Sequence, residues 1–227
     1  MSRIVIIGGH GKVALLLAPI LRDAGHTVVS LIRDADQAPD VAAAGAEPLV
    51  VSVEDATQQD VTAALSGADA VVWSAGAGGK GGPERTDAVD RQAAIRSMAA
   101  AADADVKRYV MVSWAGSYGD KPVPEDNGLY NYAMAKLDAD KHLVSTDLDW
   151  TIVGPGTLTL DEPSGEIEVT REVGTAGAPT SRANVAQVIA AVLADDATIH
   201  RVIPFKDGST PIAEAVHDVP EEYSDLD

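Results

Sequence analysis

The 227-residue chain contains no cysteine, one phenylalanine and only seven lysines. The absence of cysteine excludes disulfide bonds and thiolate metal sites. The five histidines also lack metal-ligand spacing, so no metal site is predicted. No apolar run approaches the roughly 18 residues needed to span a bilayer, and the N-terminus begins with the strand pattern Arg3-Ile4-Val5-Ile6-Ile7 instead of a signal peptide. We therefore expect a cytoplasmic protein.

Positive charge is scarce as well, since 35 acidic residues face 17 basic ones and the formal net charge is −18. Such a surface repels nucleic acids and anionic membranes, so we expect neither as a partner. The acidic residues are spread along the whole chain, which favours adaptation to molar salt, where repulsion between carboxylates is screened. The alternative is an ordinary acidic protein with the acidic end 221–227.

The chain alternates apolar, β-branched runs with helical patterns. Candidate buried strands lie at 3–8, 27–33, 47–53, 69–74, 107–113 and 149–153. Helical patterns lie between them at about 12–25, 37–44, 57–65, 84–103 and 129–146. This alternation predicts an α/β fold of the Rossmann type, a doubly wound parallel sheet with right-handed crossovers.

The alternation changes after the break Gly154-Pro155-Gly156. An exposed strand is predicted at 166–173 and a helix at about 183–194. A strand at 199–204 and a short helix near 211–217 follow. This part is too small for an independent domain. We expect one domain over 1–227, in which residues from about 155 form a small C-terminal lobe on the substrate side of the sheet.

A glycine-rich turn follows the first predicted strand and opens the first predicted helix. It is formed by Gly8, Gly9, His10, Gly11, Lys12, Val13 and Ala14. The turn fits G-x-G-x-x-[GA] from its second residue and G-x-x-G-x-x-A from its first. Glycines let the backbone turn tightly and approach a pyrophosphate, which the amides at a helix N-terminus then meet. In this strand–turn–helix context the pattern predicts a dinucleotide site.

The second predicted strand ends in Arg33, where the adenosine ribose of a dinucleotide lies. An acidic residue is usual there in NAD sites, whereas an arginine accommodates the 2′-phosphate of NADP. The sequence therefore favours NADP as the cofactor over NAD. The alternative is a solvated surface arginine paired with Asp34 or Asp36.

Two further loops are predicted to contact the cofactor. Val53 and Glu54 follow the third strand and are expected to flank the adenine. Ser74, Ala75 and Gly76 follow the fourth strand and open a glycine-rich loop. Such a loop lets the backbone approach the nicotinamide ribose and phosphates, or serves as a mobile lid.

Tyr132 and Lys136 form a Y-x-x-x-K pattern on the helix after the fifth strand, which itself ends in Ser113. Residues four apart share a helix face. The ammonium can then lower the pKa of the phenol and hold the ribose, while the phenol gives or takes a proton at a carbonyl. Ser113 is a candidate for orienting the carbonyl. The alternative is that Tyr132 only packs against its neighbours.

Together these motifs make the chain resemble the atypical short-chain dehydrogenase/reductase superfamily, in its NAD(P)-binding, epimerase-like branch. The resemblance covers nearly the whole chain. It is carried by the glycine turn, Arg33 and the stretches 74–79, 86–90, 107–113, 132–136, 138–143, 150–156 and 180–186. It implies an NADP(H)-dependent oxidoreductase or epimerase-like enzyme acting on a small carbonyl or hydroxyl substrate, as a monomer or homodimer. Ser113, Tyr132 and Lys136 are then catalytic, and Lys136 also contacts the ribose.

One position departs from the branch, which usually has an arginine before the Pro-Gly of the sixth strand. Here the residue is Gly154, which implies a larger or less charged pocket near the substrate. The branch also includes members that bind the cofactor without turnover. A non-catalytic NADP(H)-binding redox sensor or assembly protein is therefore the alternative function.

Overall fold

The computed structural model describes residues 1–78, 81–120, 122–172, 174–220 and 226. Its strands in chain order are β1 Arg3–Ile7, β2 Thr27–Ile32, β3 Glu47–Val50, β4 Ala70–Trp73, β5 Arg108–Val112, β6 Asp149–Pro155, β7 Thr157–Thr159, β8 Glu166–Val169, β9 Pro179–Ser181, β10 Arg201–Asp207 and β11 Thr210–Pro211. Its α-helices are α1 Lys12–Asp23, α2 Ala38–Ala43, α3 Gln58–Leu65, α4 Gly82–Thr86, α5 Ala94–Asp103, α6 Tyr130–Val144, α7 Arg182–Ala194 and α8 Ile212–His217.

The described residues form a nine-stranded sheet in the order β11-β8-β10-β6-β5-β4-β1-β2-β3. The seven strands from β10 to β3 pair in parallel, and the order 3-2-1-4-5-6 within them is that of a Rossmann fold. The predicted fold class is therefore confirmed. The six predicted N-terminal strands coincide with β1–β6 to within three residues at each end.

Two apolar cores cover the two faces of the sheet. On one face, Leu17 of α1 and Val185 of α7 are fully buried against the sheet. On the other, Leu65 of α3, Met98 of α5 and Leu143 of α6 are buried in the same way. Because parallel strands here are covered on both faces, their sequences are almost continuously apolar.

The C-terminal part divides into two pieces. β10 pairs in parallel with β6, and β8 and β11 extend the sheet in antiparallel pairing. β7 and β9 form a separate parallel pair that continues directly from the carboxyl end of β6. The strand predicted at 166–173 is shorter in the structure, where β8 ends at Val169, and residue 173 lies outside the described residues. Ile167 within this strand is fully buried instead of exposed.

The helix predicted over 84–103 is divided into three parts. Residues Asp87–Ala93 form a π-helix between α4 and α5. A π-helical turn inserts one extra residue into a helix and is frequent at functional sites. Here it lies beside the carboxyl end of the sheet and carries a buried aspartate, Asp90.

Candidate functional site

The glycine turn lies between β1 and the first turn of α1. Gly8 has φ +85°, and a Cβ there would lie 2.7 Å from the backbone of Ala75. The amide of Gly9 donates a hydrogen bond to the carbonyl of Leu31, and the amide of Gly11 donates one to the carbonyl of Gly8. No side chain caps α1, since Gly11 is its N-cap residue.

The amides of the first turn of α1 thus point from a bare helix end, which is the geometry that binds phosphate groups. A side chain at Gly8 or Gly11 would fill the space beside the loop after β4, and one at Gly9 would collide with Ser30 of β2. The turn therefore fits the pyrophosphate of a dinucleotide.

A cleft of about 570 Å³ runs along the carboxyl ends of β1, β2 and β4. It contacts most of the residues predicted to bind the cofactor, namely Gly8, His10, Gly11, Lys12, Arg33, Val53, Glu54, Ser74, Ala75 and Gly76. Gly9, Val13 and Lys136 were predicted as well but lie outside its lining. The cleft also contacts Gln37 and Ser52, which were not predicted.

Arg33 is exposed at the end of the cleft where β2 and β3 end. It makes no ion pair or hydrogen bond within the described part of the chain, and the carboxylate of Asp34 instead accepts the amide of Asp36 at 3.0 Å. The pairing of Arg33 with Asp34 or Asp36 that the sequence left open is absent. Its guanidinium and the exposed Lys12 thus both border the cleft, where an additional phosphate would find cationic donors.

An ion pair joins the two walls of the cleft. The guanidinium of Arg85, on α4, donates to both carboxylate oxygens of Glu54 at 3.1 Å. Arg96, on α5, donates to the carbonyl of Val53 at 2.6 Å and so also holds the loop of Val53 and Glu54. The loop predicted to flank the adenine is therefore held by two arginines that the sequence analysis did not single out.

Lys136 lies buried on α6, one helical turn after Tyr132. Its ammonium donates to the carbonyl of Val112 at 3.1 Å and lies 3.6 Å from the carboxylate of Asp90. The other oxygen of Asp90 accepts the amide of Ala77 at 3.0 Å. Asp90 thereby ties the loop after β4, which lines the cleft, to the helix that carries the Y-x-x-x-K pattern.

The pKa values of this pair are set by burial and by nearby charges. Burial raises the pKa of Tyr132, and this outweighs the lowering by the ammonium of Lys136. The Y-x-x-x-K pattern predicted that this ammonium lowers the pKa of the phenol, and the net shift of that pKa is in the opposite direction. For Lys136 burial acts to lower the pKa, but Tyr132, Asp90 and Asp140 outweigh it and the pKa is raised. A neutral phenol therefore stands beside a charged ammonium.

Ser113 lies just beyond β5, and its hydroxyl donates to the carboxylate of Asp140. Ser117 donates to the same oxygen at 2.5 Å. Asp140 is fully buried, four residues after Lys136 on α6. Burial raises its pKa to about 6, although the two serines and Lys136 lower it in part. The hydroxyl of Ser113 is thus directed to Asp140, and Ser113 lies outside the linings of both cavities described here.

A second cavity, of about 410 Å³, lies between α4 and the start of α6. Tyr132 lines it together with Thr86, Leu129 and Asn131, and Gly78 lines both this cavity and the cleft. The ring of Trp114 packs edge-on against Tyr132, with the ring centroids 6.1 Å apart. A molecule in the second cavity would therefore contact the phenol of Tyr132. At Gly78 it would also lie next to a ligand bound in the cleft.

The family model described as NAD(P)H-binding matches residues 8–196. The chain belongs to this family. The resemblance to NAD(P)-binding, epimerase-like proteins predicted from the sequence is confirmed, and the NAD(P)H-binding family is oxidoreductase- or epimerase-like.

Several relatives match this NAD(P)H-binding chain over nearly their whole length. The UPF0659 protein C216.03 of Schizosaccharomyces pombe is 36% identical, covering 95% of this chain and 94% of that protein. A Bacillus subtilis protein named as the uncharacterized sugar epimerase YhfK is 32% identical, covering 94% and 98%. The solved structure of a putative NAD-dependent epimerase/dehydratase from Bacillus halodurans is 32% identical with a TM-score of 0.88, covering 96% and 100%.

Three buried side chains of the site were not assigned a role from the sequence. They are Asp90, Asp140 and Ser117. The interval of four residues between Lys136 and Asp140 was the available signal, since it places both on one helix face. Nothing in the sequence indicated that this face is buried.

No described helix combines the length and apolar character that a membrane span requires. Among the described residues, no group of three or more histidine, aspartate or glutamate side chains is placed to hold a metal ion.

Proposed function

We propose that the protein is an NADP(H)-dependent oxidoreductase that reduces, or forms by the reverse reaction, a small carbonyl compound. The observation that carries the proposal is the junction at Gly78, where the cleft that fits a dinucleotide meets a cavity lined by Tyr132. A phenol beside a buried ammonium at that junction is suited to exchanging a proton with a carbonyl oxygen.

The residues proposed to hold the cofactor follow from the cleft. The first turn of α1 holds the pyrophosphate, and Arg33 with Lys12 holds a 2′-phosphate. Lys136 is proposed to contact the nicotinamide ribose. When bound, the nicotinamide supplies or accepts the hydride, which is chemistry that no side chain of the protein provides.

Proton transfer is assigned to Tyr132. Its raised pKa keeps the phenol protonated at neutral pH, so it can donate to the oxygen of a carbonyl in the second cavity as reduction proceeds. Lys136, held by Asp90 and the Val112 carbonyl, keeps a positive charge next to the phenolate that forms. The role predicted for Ser113, orienting the substrate oxygen, stays a prediction because its hydroxyl donates to Asp140.

The test is consumption of NADPH in the presence of a panel of aldehydes, ketones and quinones, followed by absorbance. We expect turnover with at least one compound and much slower turnover with NADH. Tight binding of NADPH without consumption of any compound, but with a changed oligomeric state, would overturn the enzyme and favour the redox-sensor alternative.

A further inference from the structure

The cavity beside Tyr132 offers polar atoms but no charged side chain among the described residues that line it. Much of its surface is glycine and proline backbone. Leu129 is 57% exposed at its edge. The hydroxyl of Thr86 already donates to the carbonyl of Gly82 at 3.2 Å, which leaves Asn131 and Tyr132 as the side chains able to bind a polar group. An apolar wall with few polar groups is suited to a compact, uncharged ligand.

Three of the described basic residues on the helices around this cavity form ion pairs. Arg85 of α4 binds Glu54 at 3.1 Å, and Lys136 of α6 lies against Asp90. Arg91 of the π-helix forms ion pairs with Asp87 and Asp138. Arginine or lysine donors that are free to turn toward a phosphate or carboxylate give the strongest recognition of such groups.

Arg182, at the start of α7, is also hydrogen-bonded within the protein. Its guanidinium donates to the carbonyls of Leu158 and Thr159 at 3.0 and 2.7 Å, which closes the β7–β9 pair. Drawing it toward an anion would break both hydrogen bonds. Arg182 thus serves the lobe beyond β6 instead of a ligand.

Gly154 stands where the family resemblance leads one to expect an arginine, so this position supplies no cation. A Cβ on Gly154 would lie 3.0 Å from the carbonyl oxygen of Trp114 and 3.3 Å from the amide of Ala115. A larger residue at this place requires the backbone after β5 to move. That backbone places Trp114 against Tyr132, so an aromatic ring packs against the phenol, and none of the described residues that line the cavity carries a charge.

From these four observations we infer that the substrate is an uncharged carbonyl compound with an apolar body, and that phosphorylated or nucleotide-linked sugars are poor ligands of this site. The inference rests on the proposed function and narrows its substrate class. The net charge of −18 acts in the same direction, because it disfavours the approach of anions.

The test compares two aldehydes of the same shape and different charge, 4-methylbenzaldehyde and 4-carboxybenzaldehyde, at saturating NADPH. We expect kcat/KM to be at least about tenfold higher for the neutral aldehyde, a difference of roughly 1.4 kcal/mol. The measurement is repeated in 1 M KCl, where the long-range repulsion is screened. A preference that persists in salt comes from the cavity itself. UDP-glucose and UDP-galactose, assayed with NADP⁺, test turnover of nucleotide-linked sugars.

Leu129 provides the matched variants, since it is exposed at the edge of the cavity. Leu129→Lys should raise kcat/KM for the carboxylate and lower it for the methyl compound. Leu129→Gln, which is polar without charge, controls for the loss of apolar surface and should shift their ratio less than Leu129→Lys does. Equal or better turnover of the carboxylate by the parent protein, or turnover of a UDP-sugar, overturns the inference.

Failure of the proposed function gives a different result. If no compound consumes NADPH, the oxidoreductase proposal fails, and the charge preference is measured by binding instead. The probes are 4-methylbenzamide and 4-carboxybenzamide, titrated calorimetrically into the protein with NADPH present. Tighter binding of the methyl compound supports the inference without turnover, and tighter binding of the carboxylate, or binding of neither, overturns it.

Discussion

The pH dependence of stability should reveal the buried carboxyl of Asp140. Its pKa is raised to about 6 in the folded protein from 3.8, chiefly because burial disfavours the charged form. At 1.36 kcal/mol per unit, holding this group ionised costs roughly 3 kcal/mol. Between about pH 4 and pH 6 the folded state keeps a proton that the unfolded chain has lost. The free energy of unfolding therefore falls as pH rises through this window.

The perturbation is Asp140→Asn, which removes the titration and keeps the shape of the side chain. We expect the stability of the variant relative to the parent to grow by roughly 2–3 kcal/mol between pH 4 and pH 7. The change with pH is the measured quantity, because the new amide adds an offset that does not depend on pH. Urea unfolding at constant ionic strength measures it, since other titrating groups cancel in the difference.

Asp138→Asn is the control on the same helix. Asp138 is 42% exposed and lies 3.4 Å from Arg91, and pairs this exposed contribute about 0–1 kcal/mol. The difference in unfolding free energy between Asp138→Asn and the parent should stay small from pH 4 to pH 7. A parent-to-variant difference for Asp140→Asn that is flat from pH 4 to pH 7 would refute the reasoning, because Asp140 would then titrate alike in both states.

Four other perturbations address the site and the surface. Tyr132→Phe should lower turnover about 100-fold to 10,000-fold with little change in NADPH affinity, whereas Tyr130→Phe, two residues away on the helix, should be nearly silent in the same assay. Lys136→Met should reduce both turnover and NADPH binding and, by leaving Asp90 buried without its cation, cost about 3–5 kcal/mol in urea unfolding. Arg33→Ala should weaken NADPH binding roughly tenfold to 100-fold in calorimetry and leave NADH nearly unchanged. If the acidic surface is adapted to molar salt, the melting temperature should rise steeply toward molar KCl. A melting temperature that does not change with KCl would favour the alternative, an ordinary acidic protein.

The parallel sheet could be predicted because buried strands leave a continuous β-branched signature. Ile4–Ile7 and Ala70–Trp73 are almost fully buried, and a run of that kind has few other structural uses. The pairing of the C-terminal strands had no such signature. The partners of β10 are β6 and β8, which lie tens of residues away in the chain, and local patterns do not specify long-range partners.

The π-helix at Asp87–Ala93 was missed for a related reason. One inserted residue shifts the helical register without altering composition, so the region reads as a continuous helix. The shift matters because it accompanies the burial of Asp90 against Lys136 and the amide of Ala77. The part of the site that the sequence did not reveal is thus the part formed by a departure from regular geometry.

Asp140 illustrates a second limit, because charged residues in helices are normally exposed. The stretch Asp138-Ala139-Asp140-Lys141 resembles a solvated surface, but of its two aspartates the second is fully buried. Two buried carboxylates and a lysine do not stabilise a fold better than apolar residues of equal volume. The acidic residues of this chain have ample surface to occupy, so burying Asp90 and Asp140 beside Lys136 costs stability that packing alone does not require. Such violations of local rules are expected where function demands them. This one coincides with the junction between the dinucleotide cleft and the cavity beside Tyr132, which is the strongest physical reason to place the chemistry there.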